Sequence, residues 1–252
     1  LKQAFPFRGG YGYSNIMFIA AGEVVEEASG QSWEEFIRHR FLEPLGMKRT
    51  VLSVKKLSGK SNVATPHAET EDGIRTFPWR DWDNTVPAGG IISSVSDLAQ
   101  WLRLQLGRGT FAGRQIFSRQ QSRLMWTPHV SFTPSERGEE RYPHARLNGY
   151  GLGWQLSVYR GALLAHHGGA YDGMVSHTAV VPDKQLGVAV LTNSTTGIAN
   201  ALVYKVLDTF LGDEDRDWSG EELARSREAR RRRLAECAQA DSRRVPNTTP
   251  SL

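Results

Sequence analysis

The sequence predicts an α+β fold, a helical subdomain packed on an antiparallel β-sheet and completed by a C-terminal helix. Three observations carry this expectation. Apolar residues recur at helical spacing through the first half, two-residue alternation takes over from Tyr150, and one more amphipathic stripe returns after the last strand. At 252 residues the chain is long enough for one large domain or two small ones.

The first helix is expected over 16–29, with Met17, Ala20, Ala21, Val24 and Ala28 on its buried face and Gly30 as its stop. Ser32 and Glu35 form a capping-box pattern for the next helix, which should bury Trp33, Phe36, Ile37 and Phe41 and end before Pro44. Ser94 and Asp97 repeat that pattern ahead of "LAQWLRLQL", closed by Gly107, and a shorter helix covers 118–126. From 152 the run "LGWQLSV" alternates, placing Leu152, Trp154, Leu156 and Val158 on one face of a half-buried strand. "ALLAHH", "VSHTAVV" and "LGVAVLT" read as further strands, the last two joined by the turn "PDKQ" at 182–185. The closing helix puts Ile198, Ala199, Leu202, Val203, Val206 and Phe210 on one stripe.

Two stretches, 58–92 and 127–149, show no clear period, and loops of that length commonly build a site. Phe77, Trp79 and Trp82 in the first either wall a pocket or pin the loop to the core. Residues 1–212 form the expected domain. Residues 213–252, poor in apolar anchors and ending in "RVPNTTPSL", read as a basic linker toward a further domain.

Composition is that of an ordinary globular protein, with 39% hydrophobic and 23% charged residues. The net charge of +4 is local, because "SREARRRR" at 226–233 holds five arginines without interleaved aromatic residues. A nucleic-acid partner is therefore not expected. No run approaches the roughly 18 apolar residues of a membrane span. The one cysteine, Cys237, cannot form an intrachain disulfide and leaves the compartment open. Leu1 in place of Met points to a processed or truncated chain, and a leader in a preceding segment would send the protein to the periplasm or outside the cell.

Covalent hydrolysis by serine needs a nucleophile, a base and N–H donors for the oxyanion. The chain has no G-x-S-x-G, and its S-x-x-K match, Ser53 to Lys56, lies in a polar segment with no apolar helix behind it. "GGYGYSN" at 9–15 offers Tyr13, Ser14 and Asn15 just ahead of a helix, a pattern that also suits a helix entry with Asn15 as cap. His166, His167, Asp172 and His177 cluster in sequence. Neighbouring residues on a strand point to opposite faces, which argues against a shared metal ion.

The order of the pieces is more specific. Y-x-N at 13–15 is followed by G-x-x-x-E-x-x-S-G at 22–30, P-L-G-M at 44–47, "PAGGIISSVSDLAQWL", "YGLGW" and "HHGGAYDG" ahead of a hairpin. Nearly the whole chain resembles the serine β-lactamase and penicillin-binding-protein-like hydrolases, in the branch of class C β-lactamases, esterases and D-aminopeptidases. The resemblance implies that Tyr13 shuttles protons, Asn15 hydrogen-bonds substrate and Ser14 is a bystander. It places His166 where the family has a strand lysine, completes H-x-G with Gly168, and makes the Gly169 N–H an oxyanion donor. Trp79 and Trp82 join Gly168 as substrate-binding candidates, and no cofactor is implied.

The family's S-x-x-K precedes Y-x-N by several dozen residues, and only twelve residues precede Tyr13 here. The expectation is thus the middle of a longer hydrolase of esters, amides or peptides, inactive as this chain alone, with a small-molecule or peptide substrate. A penicillin-recognising-type binding module without catalysis is the alternative. Loss of the first strands would leave "LGVAVLT" as an apolar edge and the isolated chain prone to aggregation. Oligomeric state is left open.

Overall fold

The computed structural model describes residues 5–6, 9–70, 73–212 and 216–243. Helix α1 (Asn15–Ser29) stops as expected at Gly30, whose φ of 68° is the left-handed conformation glycine takes without strain. Its buried face is not the expected one. Met17 and Val24 are 62% and 65% exposed, and the helix packs instead through the face of Phe18, Ile19, Gly22 and Val25. The helix is apolar on two sides, so periodicity alone does not choose between them. Gly22 does, because an added Cβ would lie 2.3 Å from Cγ of Pro87.

Helix α2 (Trp33–Ile37) carries the full capping box of Ser32 and Glu35. A π turn over Arg38–Leu42 follows, then α3 (Glu43–Leu45), ended by Gly46 at φ 67°. Pro44 therefore lies inside the last turn instead of terminating it. The π turn has already shifted the hydrogen-bond register, the Glu43 N–H bonding to Arg38 O, and Pro44 enters where the regular ladder is interrupted.

The stretch 58–92 is partly ordered as a hairpin, β1 (His67–Thr70) with β2 (Gly73–Thr76), and a short helix α4 (Val86–Gly89). Helix α5 (Val95–Leu106) has only half of the expected box. The Ser94 hydroxyl accepts from the Asp97 N–H, but the Asp97 carboxylate turns away to accept from Arg49 N–H and Thr50 O–H, both at 2.8 Å. A two-residue ribbon, β3 (Thr110–Phe111) and β4 (Arg114–Gln115), leads to α6 (Arg119–Met125). Residues 127–149 also contain structure: β5 (Val130–Ser131), α7 (Glu136–Arg141) and the start of β6 (Ala145–Tyr150).

Strands β7 (Gln155–Tyr159), β8 (Ala162–Tyr171), β9 (Met174–Val181) and β10 (Leu186–Thr192) complete a six-stranded antiparallel sheet of order β10-β9-β8-β7-β6-β5. Leu152, expected on β7, lies before it and is exposed, while Trp154 and Leu156 are buried. Strand alternation divides the core. Leu164, Ala179, Val181 and Val188 face α8 (Ile198–Leu211), whereas Leu156, Ala165 and Val180 pack with Leu102 of α5 and with Trp126. Strand β10 is one edge of the sheet.

Helix α8 buries Ala199, Val203 and Leu207 together with Tyr204 and Asp208, so Leu202 and Phe210, expected inward, are exposed. The helix is rotated by a group that hydropathy reads as outward. The Asp208 carboxylate accepts from Tyr159 O–H at 2.6 Å, Arg160 Nε–H at 2.7 Å and Trp218 Nε1–H at 2.7 Å.

Beyond residue 212 lies α9 (Trp218–Ser242). Its start belongs to the packed domain: Trp218 is buried against Tyr142 and Tyr204, and Arg141 pairs with Glu222 at 2.7 Å. The boundary expected at 212 thus falls beside a core residue, and the helix reads as exposed from Arg231 onward. The "RVPNTTPSL" stretch lies outside the described residues. Among the described residues no helix is long and apolar enough to cross a membrane.

Candidate active site

A cleft of about 1600 Å³ opens between the head of α1, the loops around 48–64 and 79–94, and the outer half of β8. Tyr13 and Asn15 line one side, Trp79 and Trp82 another, and His167 to Tyr171 the wall opposite α1. Ser14 occupies the N-cap position in extended backbone, with no side-chain cap bond, and Asn15 is the first helical residue. The cap role considered for Asn15 is therefore not what holds it. Tyr13 is half-exposed, with ring centroids 5.9 Å from His167 and 6.1 Å from Tyr150.

The wall on β8 is set by two tight turns. Arg160-Gly161 joins β7 to β8 and Asp172-Gly173 joins β8 to β9, all four residues at positive φ, as the type I′ two-residue hairpin turn requires. The pair closing such a turn is mutually hydrogen-bonded, which fixes the parity of the strand. Even-numbered residues from Ala162 bond toward β7 and odd-numbered residues back from Tyr171 bond toward β9. Pairing with β7 ends at Gln155 and His166. The N–H groups of Gly168 and Ala170 therefore project from a free edge into the cleft, which Gln155 also lines.

This parity corrects two expectations. The Gly169 N–H, expected at the oxyanion, bonds across to β9, where Gly169 pairs with Ser176. His166, expected to face substrate, points to the α8 side of the sheet, with its ring stacked on His177 at 5.2 Å and edge-on to Tyr204. His166 Nδ1 is 3.1 Å from His177 Nε2, and His177 Nδ1 bonds to Asn200 Oδ1. Burial, then the neighbouring His177 and His167, push the His166 pKa down to about 3, so it is neutral at physiological pH.

His167 is the histidine in the cleft. "HHGG" contains two overlapping H-x-G readings, and the second, His167 to Gly169, is the one that faces α1. The His167 Nδ1–H donates to Gly168 O at 2.7 Å, and its Nε2 lies 2.9 Å from the hydroxyl of Tyr150. Burial lowers its pKa, partly opposed by the Gly168 carbonyl. Tyr150, in the "YGLGW" segment, was not among the expected site residues. Neither was Tyr11, which stacks between Phe132 and Tyr150 and extends the aromatic wall.

Trp82 reaches across the cleft mouth. Its Nε1–H donates to Asp172 Oδ2 at 2.6 Å, and its ring meets Tyr171 edge-on at 5.4 Å. The loop of 77–85 is thereby latched to the tip of the β8–β9 hairpin. Ser53 of the S-x-x-K match caps a short 3-10 turn and donates to Asp83 Oδ2 at 3.0 Å, while Lys55 pairs with Asp81 and Asp83. The Ser53 hydroxyl also accepts from the Lys55 backbone N–H at 3.1 Å, so this is a surface staple in which, among the described residues, no lysine ammonium reaches the serine hydroxyl. Among the described residues no group of three or more histidine, cysteine or acidic side chains is placed to hold a metal ion.

The chain matches the Beta-lactamase family over residues 1–209. Among curated proteins it is 30% identical over 241 residues to "Unguisins hydrolase ungD" of Aspergillus violaceofuscus (strain CBS 115571), covering 87% of this chain and 41% of that protein. It is 26% identical over 206 residues to "Penicillin-binding protein 4" of Amycolatopsis lactamdurans, covering 80% and 51%. The octameric penicillin-binding protein homologue from Pyrococcus abyssi superposes with a TM-score of 0.70 at 28% identity, covering 82% of this chain and 44% of that one. The chain thus spans about two fifths to one half of the length of these relatives.

Proposed function

The chain belongs to the beta-lactamase family of serine hydrolases, and on that premise we propose that the cleft is one face of an acyl-transfer site for an ester, amide or peptide. The observation that carries the reading is the juxtaposition across the cleft. Tyr13 and Asn15 at the head of α1 face the stretch of β8 whose backbone N–H groups, among the described residues, have no strand partner on that side.

In this reading Tyr13 moves the proton of the attacking serine and returns it to the leaving group, Asn15 hydrogen-bonds the acyl part of the substrate, and the Ala170 N–H stabilises the oxyanion. His167 and Gly168 form the wall beside the scissile bond, and Trp79 and Trp82 bound the leaving or acyl group at the mouth. The nucleophile comes from an S-x-x-K segment outside these 252 residues. A phenol titrates near pH 10, and the lysine of that segment would supply the cation that Tyr13 needs to act as a base. His167, neutral and bonded at both ring nitrogens, offers a substrate carboxylate no cation. That favours ester or amide substrates over efficient hydrolysis of anionic β-lactams.

A fluorophosphonate probe followed by intact mass and peptide mapping tests the reading. The full natural polypeptide carrying these residues should take one label, on a serine of an S-x-x-K upstream of Tyr13, and Tyr13→Phe should slow labelling by about 10²-fold or more. This chain alone should take none. Labelling of any serine within the chain, or a full polypeptide without label, would overturn it; the second result would favour the non-catalytic binding module.

A further inference from the structure

Tyr150 ends β6, where its backbone pairs with both Val130 and Gln155, so its side chain is held from two strands. Its ring is enclosed by Tyr11 at 5.4 Å and Tyr13 at 6.1 Å and meets His167 edge-on at 5.9 Å. Burial, and then the nearby Tyr13 and Tyr11, raise its pKa, so the hydroxyl keeps its proton through the neutral range and remains a donor.

The partners of His167 determine what that donor does. A carbonyl can only accept, so the ring nitrogen 2.7 Å from Gly168 O must carry a hydrogen. In a neutral imidazole the other nitrogen then bears a lone pair, and the Tyr150 O–H at 2.9 Å fills it. The other polar groups around the ring do not reverse this. Tyr11 and Tyr13 face it from the chain entering α1, Ser176 and Thr178 share its side of β9, and His166 and His177 lie on the far face of the sheet. None of these is a carboxylate.

We propose that Tyr150 is a positioning residue that locks His167 as the neutral Nδ1–H tautomer and keeps the cleft wall opposite Tyr13 uncharged. The consequence is chemical selectivity. A wall that would hold a substrate carboxylate if it carried a cation instead presents only a ring surface and backbone N–H groups. This deepens the hydrolase reading and rests on it for its consequence, but the tautomer is measurable without any reaction.

The test is long-range ¹H–¹⁵N spectroscopy of the imidazole rings in the full natural polypeptide, with a pH titration, for wild type and Tyr150→Phe. Wild type should show a protonated Nδ1 and an unprotonated Nε2 on His167 at pH 7.5, with protonation only below the ordinary pKa of about 6.5. In Tyr150→Phe, which keeps the ring contacts and loses the donor, the His167 pKa should rise by about half a unit or more and an Nε2–H population should appear. The His166 and His177 resonances should stay in place, which a general loss of packing would not allow. An Nε2–H tautomer in wild type overturns the proposal even where the variant fails to fold, and so does a His167 spectrum unchanged by the substitution. Failure of the hydrolase reading would show separately, as an unlabelled serine with the tautomer intact.

Discussion

Acidification should loosen the centre of the sheet through the histidine chain behind β8. His166 Nδ1–H donates to His177 Nε2, and His177 Nδ1–H donates to Asn200, an assignment that requires the accepting His177 ring to be neutral, while burial keeps His166 neutral. Burial lowers both pKa values, that of His166 to about 3. The unfolded or locally opened chain binds a proton on each ring near pH 6.5, and the closed state does not. The stabilisation is therefore complete above pH 6.5 and is lost as pH falls toward the folded value. One such proton costs about 1.4 kcal/mol per pH unit, so His166 alone should cost roughly 2–3 kcal/mol between pH 7.5 and 4.5. Native-state hydrogen exchange over peptides of β8 and β9, corrected for the intrinsic pH dependence of exchange, reads this as opening made on the order of 10²-fold more favourable. His166→Gln removes the titrating ring, while the carboxylates that titrate in the same range remain and cancel in the comparison. Equal pH dependence in wild type and His166→Gln would refute the reasoning.

Two further substitutions test the packing that positions the site. Gly22→Ala should destabilise by about 1–3 kcal/mol, since its Cβ would meet Pro87 at 2.3 Å and push the head of α1, with Tyr13 and Asn15, away from the loop at 79–94; urea unfolding and the rate of probe labelling should both report it. Asp208→Asn should cost about 3 kcal/mol in the same unfolding assay, because it removes the charge on which Tyr159, Arg160 and Trp218 converge.

The fold was legible where local chemistry decides it. The Ser32–Glu35 box, the left-handed stop at Gly30 and the "PDKQ" turn are each determined by residues within one turn of the feature. What the sequence hid depends on distant partners. The inward face of α1 is chosen by Pro87, some sixty residues away, and the rotation of α8 by donors from β7 and α9 that turn Asp208 inward. The hairpin and short helices within 58–92 and 127–149 were hidden for a related reason: elements of two to six residues carry too few positions to show a period.

The site was legible as a set of segments and wrong by one residue in register. Tyr13, Asn15, Trp79 and Trp82 all reach the cleft. On β8 the family pattern alone could not choose between two overlapping H-x-G readings, and side-chain alternation turns a one-residue slip into a change of face. The deciding signal lay in the strand ends. With Arg160-Gly161 and Asp172-Gly173 as the two turns, the parity of every residue between them follows: Ala170 N–H to the free edge and Gly169 N–H to β9. The same slip changes the chemistry of the wall. His167 comes with Tyr150 and the Gly168 carbonyl already in place, and both ring nitrogens are taken before substrate arrives.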